Sequence, residues 1–152
     1  MKGISDGALV VLALIAGALL PLQALVNGRL GEQVGAPVWG ATLQNVVGVA
    51  AMLAVIAVLR APAPAGAQLA AAPLWSWAGG LLGATYVLIA LLATPKLGAT
   101  PAMVAIIAGQ LVASVLLDQF GVLQPRHPID GRTVAGLMIL GVGAWVILTR
   151  PR

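Results

Sequence analysis

The chain has 152 residues, of which 61% are hydrophobic and 8% are charged, and its formal net charge at neutral pH is +4. A soluble domain normally carries charge on about a quarter of its residues, so this composition excludes a soluble globule and predicts a protein that lies in a lipid bilayer. The eight basic residues are scattered singly through the chain, which argues against a nucleic-acid partner. Because the sequence has no cysteine, it offers no thiol for disulfides, catalysis or zinc binding.

Five apolar stretches of membrane-spanning length follow one another along the chain. A helix needs about 20 mainly apolar residues to cross the hydrocarbon core, so there is room for five crossings and for no separate soluble domain. We therefore predict an all-α integral membrane bundle that forms a single transmembrane domain over residues 1–152. We expect the first stretch to remain as a span, because it is longer than the apolar core of a signal peptide. The five spans are predicted at about 8–27, 38–59, 74–93, 100–117 and 132–149.

Short breaks rich in proline, glycine and charged residues separate the predicted spans. The second break contains a proline- and alanine-rich tract over 62–73, and the third is expected to be a tight turn at Pro95, Lys96 and Gly98. Indole rings anchor helices at the lipid headgroups, and all four tryptophans lie near predicted span ends. They are Trp39, Trp75, Trp77 and Trp145.

The basic residues give no preference for one orientation in the membrane. Lysine and arginine normally concentrate on the cytoplasmic side, but here each side carries four. One side has Lys2, Arg60, Arg126 and Arg132, and the other has Arg29, Lys96, Arg150 and Arg152. This balance suggests an antiparallel homodimer, a noncovalent counterpart of the inverted repeats found in secondary transporters. The alternative is a single orientation that the insertion machinery or another protein imposes.

Small residues recur at the spacing that lets helices approach closely in lipid. Gly17 follows Ala13 by four residues, Gly83 follows Gly79, and Gly109 lies between Ala105 and Ala113. We expect Gly17, Gly79, Gly80, Gly83 and Gly109 to serve helix packing.

Polar side chains inside the predicted spans need partners in protein or in a wet cavity. Gln23 and Asn27 share one helix face just after Pro21, and Gln110, Ser114 and Asp118 form a stripe at intervals of four residues. Further polar residues lie in the second and third predicted spans: Thr42, Gln44, Asn45, Thr85 and Tyr86. These groups either line a shared polar cavity or form hydrogen bonds between helices. Asp118 either couples or gates transport, or is a solvated residue at the helix end.

The sequence shows no arrangement typical of an enzyme or a metal site. No charged residue lies in the middle of a predicted span, and we interpret the single histidine, His127, as a loop residue. We see no paired carboxylates, no nucleophile beside a base and no phosphate-binding loop. We therefore expect no catalytic residues, no metal and no cofactor.

Four sequence blocks carry a family resemblance. They are "LQALVNGRLGEQVGAPVWGA", "WAGGLLGATYVL", "LGATPAMVAIIAGQLVASVLLDQFGVL" and "GRTVAGLMILGVGAWVIL". In this order they resemble the YdcZ-like family, a five-helix, half-size branch of the drug/metabolite transporter superfamily. The resemblance implies a multi-pass protein of the bacterial inner (cytoplasmic) membrane that corresponds to half of a ten-helix inverted-repeat transporter. It also implies gradient-driven transport of a small metabolite by alternating access.

The related small multidrug resistance proteins carry a glutamate in the first span, where this chain has Gln23 and Asn27. We therefore expect a neutral or zwitterionic solute rather than a cationic drug. The predicted solute contacts are Gln23, Asn27, Asn45, Tyr86, Gln110 and Ser114, with Asp118 coupling or gating transport. The alternatives are a non-transporting accessory or assembly subunit, or one half of a heterodimer with a paralogue.

Overall fold

The structure is a computed structural model, and it describes residues 5–150. Every regular element within that range is helical. The α-helices are α1 (Asp6–Gln33), α2 (Pro37–Leu59), α3 (Gly66–Ala71), α4 (Ala78–Leu97), α5 (Ala99–Phe120) and α6 (Gly131–Leu148), and a 3₁₀ turn at Leu74–Trp77 precedes α4. Within this range, five helical segments are long and apolar enough to cross a membrane: α1, α2, α4 with its 3₁₀ turn, α5 and α6. The prediction of an all-α protein with five membrane-spanning helices is confirmed.

The first helix is longer than its apolar stretch suggested. Ser5 caps its start by accepting a hydrogen bond from the amide of Ala8 at 3.3 Å. The predicted span ended near residue 27, but α1 continues to Gln33. The extra turns are polar on their outer face, where Arg29 and Glu32 form an ion pair of 3.2 Å, so hydropathy alone missed them.

A tight turn reverses the chain between α1 and α2. Gly35 has a φ of +88°, which a residue without a Cβ adopts at little cost, and Pro37 occupies the first turn of α2. The two helices then meet at glycines. A Cβ added to Gly40 would lie 2.8 Å from the Cα of Gly31, so the two backbones are in direct contact. Close approach between small residues is how helices gain packing energy in lipid, where apolar burial gives none.

The connection between α2 and α4 contains the proline- and alanine-rich tract. The helix α2 ends at Leu59, and its cap residue Arg60 takes the left-handed conformation while the amide of Ala61 bonds to the carbonyl of Ile56. The tract then forms the short helix α3, and the 3₁₀ turn carries Trp75 and Trp77 to the start of α4.

The prediction that Pro95 and Lys96 form a turn is wrong, because both lie inside α4. A proline removes one backbone hydrogen bond. Here that loss occurs in the last helical turn, next to the buried Leu91 and Thr94, and it does not end the helix. Gly98 alone separates α4 from α5, with a φ of +87°.

The contacts divide the chain into two compact units, one reaching to Lys96 and the other beginning at Leu97. The first contains α1 to α4, and the second contains the paired helices α5 and α6. The buried hydrophobic residues of the described chain are mostly alanines, whereas most of the large apolar side chains are exposed. This distribution fits helices whose outer faces contact lipid rather than water.

The loop between α5 and α6 is held by the end of α5. Gly121 ends the helix in the left-handed conformation, and the amide of His127 bonds to the backbone carbonyl of Asp118 at 2.9 Å. Asp130 then caps α6 by accepting hydrogen bonds from the amide and the hydroxyl of Thr133 at 2.8 and 2.7 Å.

Candidate solute-binding cleft

Three membrane-spanning helices of the first unit surround a small cleft, which we call the amide cleft. Its polar wall consists of Gln23 and Asn27 from α1, Gln44 from α2 and Tyr86 from α4. Its apolar wall consists of Leu20, Ala24, Val87, Ala90 and Leu91. The cleft has a volume of about 10 Å³, which is room for about one water molecule.

A short hydrogen bond joins the two amides at the crossing of α1 and α2. The Nδ2 atom of Asn27 donates to the Oε1 atom of Gln44 at 2.6 Å. Asn27 is only 7% exposed, so this bond offsets the cost of burying its amide. Each amide keeps further donor and acceptor capacity after making one bond. The pair can therefore hold its own geometry and still bind a polar group in the cleft.

The structure brings together three of the predicted contact residues, Gln23, Asn27 and Tyr86. Gln23 and Tyr86 are half-buried, and neither side chain forms a hydrogen bond to another described residue. Both are therefore available to a solute or a water molecule.

Gln44 takes the place in this cleft that we expected for Asn45. Asn45 is half-buried and does not line the amide cleft. Gln44 lies four residues after Gly40 and so shares the helix face that packs on α1, but only the structure shows which face of α2 packs there.

The predicted stripe on α5 belongs to the second unit. The hydroxyl of Ser114 bonds to the carbonyl of Gln110 at 2.8 Å, within the same helix. The Gln110 side chain is exposed at the middle of α5, and it forms no hydrogen bond within residues 5–150. An amide at that depth needs a polar partner.

Asp118 lies in the last turn of α5, where it is half-buried. Its Oδ1 atom accepts a hydrogen bond from the Nε2 atom of Gln124 at 2.5 Å. This contact gives Asp118 a structural part in holding the α5–α6 loop. Its role in coupling or gating stays a prediction.

The predicted packing glycines differ from those that contact a neighbouring helix. A Cβ added at Gly17, Gly79, Gly80, Gly83 or Gly109 would meet no atom of the described chain within 4 Å. Their packing role stays a prediction. Sequence analysis did not single out Gly31 and Gly40, which carry the close contact between α1 and α2.

The second unit contains a larger groove of about 520 Å³ between α5 and α6. Only apolar residues and glycines line it, including Val104, Leu111, Leu140 and Ile147. It offers no side-chain hydrogen bond to a polar solute. Within the described range, no group of three or more histidine, aspartate or glutamate residues could hold a metal ion.

Comparison with known proteins agrees with this architecture. The family described as "Putative inner membrane exporter, YdcZ" matches residues 8–146. The inner membrane protein YdcZ of Escherichia coli (strain K12) is 25% identical over 138 residues, covering 89% of this chain and 91% of the relative. No solved structure matches the chain significantly. A match over nearly the whole chain, together with five membrane-spanning helices among the described residues, identifies a multi-pass inner membrane protein that belongs to the YdcZ family.

Proposed function

We propose that the protein is a secondary transporter of the drug/metabolite transporter superfamily that moves a small polar solute across the bacterial inner membrane by alternating access. The amide cleft is the observation that carries this proposal. Side chains from three different membrane-spanning helices converge there, and two of them, Gln23 and Tyr86, have no hydrogen-bond partner among the described residues. Polar groups at membrane depth need partners, and a solute in transit supplies them.

The solute is neutral or zwitterionic. No charged side chain is among the described residues that line the amide cleft, so an ion with net charge would find no opposite charge there. The amides and the phenol offer both donors and acceptors, which suits hydroxyl, amide or amino groups.

The working unit is an antiparallel homodimer in which a second copy completes the site. The amide cleft of one chain admits about one water molecule, which is too little space for a metabolite. Gln110 is exposed at mid-helix, and five glycines expected to pack leave open space beside them. In the dimer, Gln110, Ser114 and Asn45 join the solute contacts, and Asp118 couples or gates transport.

Reconstitution tests the transport activity. Purified protein in liposomes loaded with a uniformly ¹³C-labelled metabolite extract should release at least one labelled solute, identified by mass spectrometry. Asn27→Leu should abolish that release, because it removes the amide while leaving membrane insertion intact. Thr42→Val is the matched control, since the Thr42 hydroxyl bonds to the carbonyl of Val38 in its own helix. Release that is absent from wild-type protein, or equal in Asn27→Leu, would contradict the proposal.

Charge placement tests the dual orientation. C-terminal reporter fusions should give signal from both faces of the membrane, because each side carries four basic residues. Arg60→Asn leaves three on one side and keeps a residue that tolerates the left-handed conformation at this position. It should shift the C-terminus toward the cytoplasm. Signal from one face only in the wild type would exclude an antiparallel homodimer.

A paralogous partner would complete the same surfaces and make the protein one half of a heterodimer. The apolar groove of the second unit would suit such a partner equally well. If the purified chain alone moved no solute in liposomes, and a co-purifying five-helix protein restored the flux, this alternative would be supported. Absence of solute flux, together with a co-purifying protein of another family, would indicate an accessory subunit.

A further inference from the structure

A second cleft lies in the first unit, between the C-terminal parts of α1 and α4, and we call it the terminal cleft. Its volume is about 200 Å³. It is lined by Leu25, Gly28, Arg29, Glu32, Thr94 and Pro95, together with Ala24. Ala24 also lines the amide cleft, so the two clefts adjoin each other along α1.

Thr94 carries a polar atom that the described chain leaves unsatisfied. The residue is 2% exposed, and its Oγ1 atom is buried with no hydrogen-bond partner. The hydroxyls of Thr42 and Thr85, by contrast, bond to carbonyls of their own helices at 2.8 Å. A buried hydroxyl without a partner is destabilising, so a polar group that entered between α1 and α4 beside Thr94 would gain a hydrogen bond that the described chain does not supply.

The other polar groups of the terminal cleft form a pair without net charge. The Nη1 atom of Arg29 lies 3.2 Å from the Oε2 atom of Glu32, and the two side chains are 82% and 60% exposed. An ion pair this exposed contributes little to stability, so it opens at small cost. A ligand with a single charge would satisfy one partner and leave the other unpaired. A ligand with both charges can satisfy both.

We propose that the terminal cleft is the entry subsite for a small zwitterion, with Arg29 holding its anionic group and Glu32 holding its cationic group. The Thr94 hydroxyl, whose oxygen is buried in this structure, supplies a further hydrogen bond once α4 shifts away from α1. From there the solute passes Ala24 into the amide cleft. This assignment rests on the proposed transport function and names the solute class that the protein accepts.

The test uses full-length protein in liposomes and ¹³C-labelled amino acids as zwitterionic probes. Wild-type protein should move at least one of them, whereas the singly charged acetate and methylammonium should be moved no faster than through protein-free liposomes. Thr94→Val keeps the shape of the side chain and removes the hydroxyl. It should lower amino-acid flux about tenfold, as expected for loss of one buried hydrogen bond to a charged ligand. Thr94→Ser should recover most of that loss.

Stability distinguishes a binding role from a structural one. Thr94→Val removes an unsatisfied buried hydroxyl, so its melting temperature should equal or exceed that of the wild type. In Thr42→Val a satisfied hydroxyl is lost at an exposed site, and neither flux nor melting temperature should change greatly. Lower flux with undiminished stability supports the subsite. Equal flux in Thr94→Val and Thr42→Val would overturn it, and so would a fall in flux explained by unfolding of Thr94→Val.

The charged pair provides a second, independent readout. Arg29→Gln and Glu32→Gln should each raise the apparent KM for the amino acid, because each leaves one ligand charge unpaired. The exchanged pair Arg29→Glu with Glu32→Arg should recover part of the affinity. Wild-type protein that moves labelled metabolites but no amino acid would overturn the zwitterion assignment while leaving the transport function standing. Wild-type protein that moves nothing would contradict both.

Discussion

The contact between Gly31 and Gly40 gives the sharpest prediction about the fold. In Gly40→Ala the new methyl group would lie 2.8 Å from the Cα of Gly31 and 2.9 Å from the carbonyl oxygen of Asn27. All of its close neighbours are backbone atoms, which cannot turn aside as a side chain can. Helices α1 and α2 would have to separate by about 0.6 Å to restore an ordinary contact distance of 3.4 Å.

That separation has two energetic consequences. Overpacking at a close contact costs about 1–3 kcal/mol. The hydrogen bond from Asn27 to Gln44, now 2.6 Å, would lengthen, and interhelical bonds of this kind in membranes are worth about 0.6 kcal/mol on average. We therefore expect Gly40→Ala to lower the free energy of unfolding by about 2–4 kcal/mol.

Unfolding of detergent-purified protein by increasing SDS, followed by circular dichroism, measures this change. Gly48→Ala is the matched control, because Gly48 lies on the same helix and an added Cβ there meets nothing within 4 Å. The control should be unchanged or slightly more stable, since alanine is the better helix former. If Gly40→Ala unfolds at the same SDS concentration as Gly48→Ala, the close contact of the two backbones is not what holds α1 against α2.

Three further changes test neighbouring parts of the structure. In a double-mutant cycle on SDS unfolding, Asn27→Leu and Gln44→Leu should couple by about 0.6 kcal/mol and at most ~1.7 kcal/mol, and additive effects would show that the bond does not form. Hydrogen bonds from Thr133 lower the pKa of Asp130 below its usual value of 3.8. The ionised cap therefore stabilises α6 fully at neutral pH, and this stabilisation is lost as the pH falls through the lowered pKa. Protection from hydrogen exchange at the start of α6, measured relative to the intrinsic exchange rate at each pH, should therefore fall in acid for the wild type, whereas Asp130→Ser should cap without this pH dependence. A disulfide between cysteines replacing Gly28 and Pro95 should stop transport until it is reduced; transport that persists in the oxidised protein would show that α1 and α4 need not move apart.

The five membrane-spanning helices could be predicted from the sequence, because the length of an apolar stretch decides whether it can cross lipid. The sequence also predicted that Gln23 and Asn27 share a face, since a spacing of four residues fixes that in any α-helix. The partner of Asn27 could not be derived in this way. It depends on the register of α2 against α1, which the contact between Gly31 and Gly40 sets, and no periodicity within one helix encodes it.

Other features required the positions of atoms. Nothing in the sequence distinguishes Thr94 from the other threonines. Only the structure shows that its hydroxyl is buried without a hydrogen-bond partner among the described residues. The end of α1 was missed because charged residues near a glycine resemble a loop, although the ion pair of Arg29 and Glu32 is compatible with a helix surface. The stripe of Gln110, Ser114 and Asp118 was predicted as a spacing, and the part that these residues play in solute binding stays a prediction.

The two kinds of helix contact in the first unit suggest which parts would move in the proposed transport cycle. At the crossing of α1 and α2, backbone touches backbone, and the same contact positions the amide of Asn27 beside Gln44. Closely packed backbones tolerate little displacement, so we expect α1 and α2 to move as one body. A Cβ added at Gly28, in contrast, would lie 3.9 Å from the Cγ of Pro95, which leaves α4 room to shift against α1. Gly28 and Pro95 line the terminal cleft, and residues of α4 line both clefts. Motion of α4 would therefore change the access to both clefts while the hydrogen bond between the two amides stays intact.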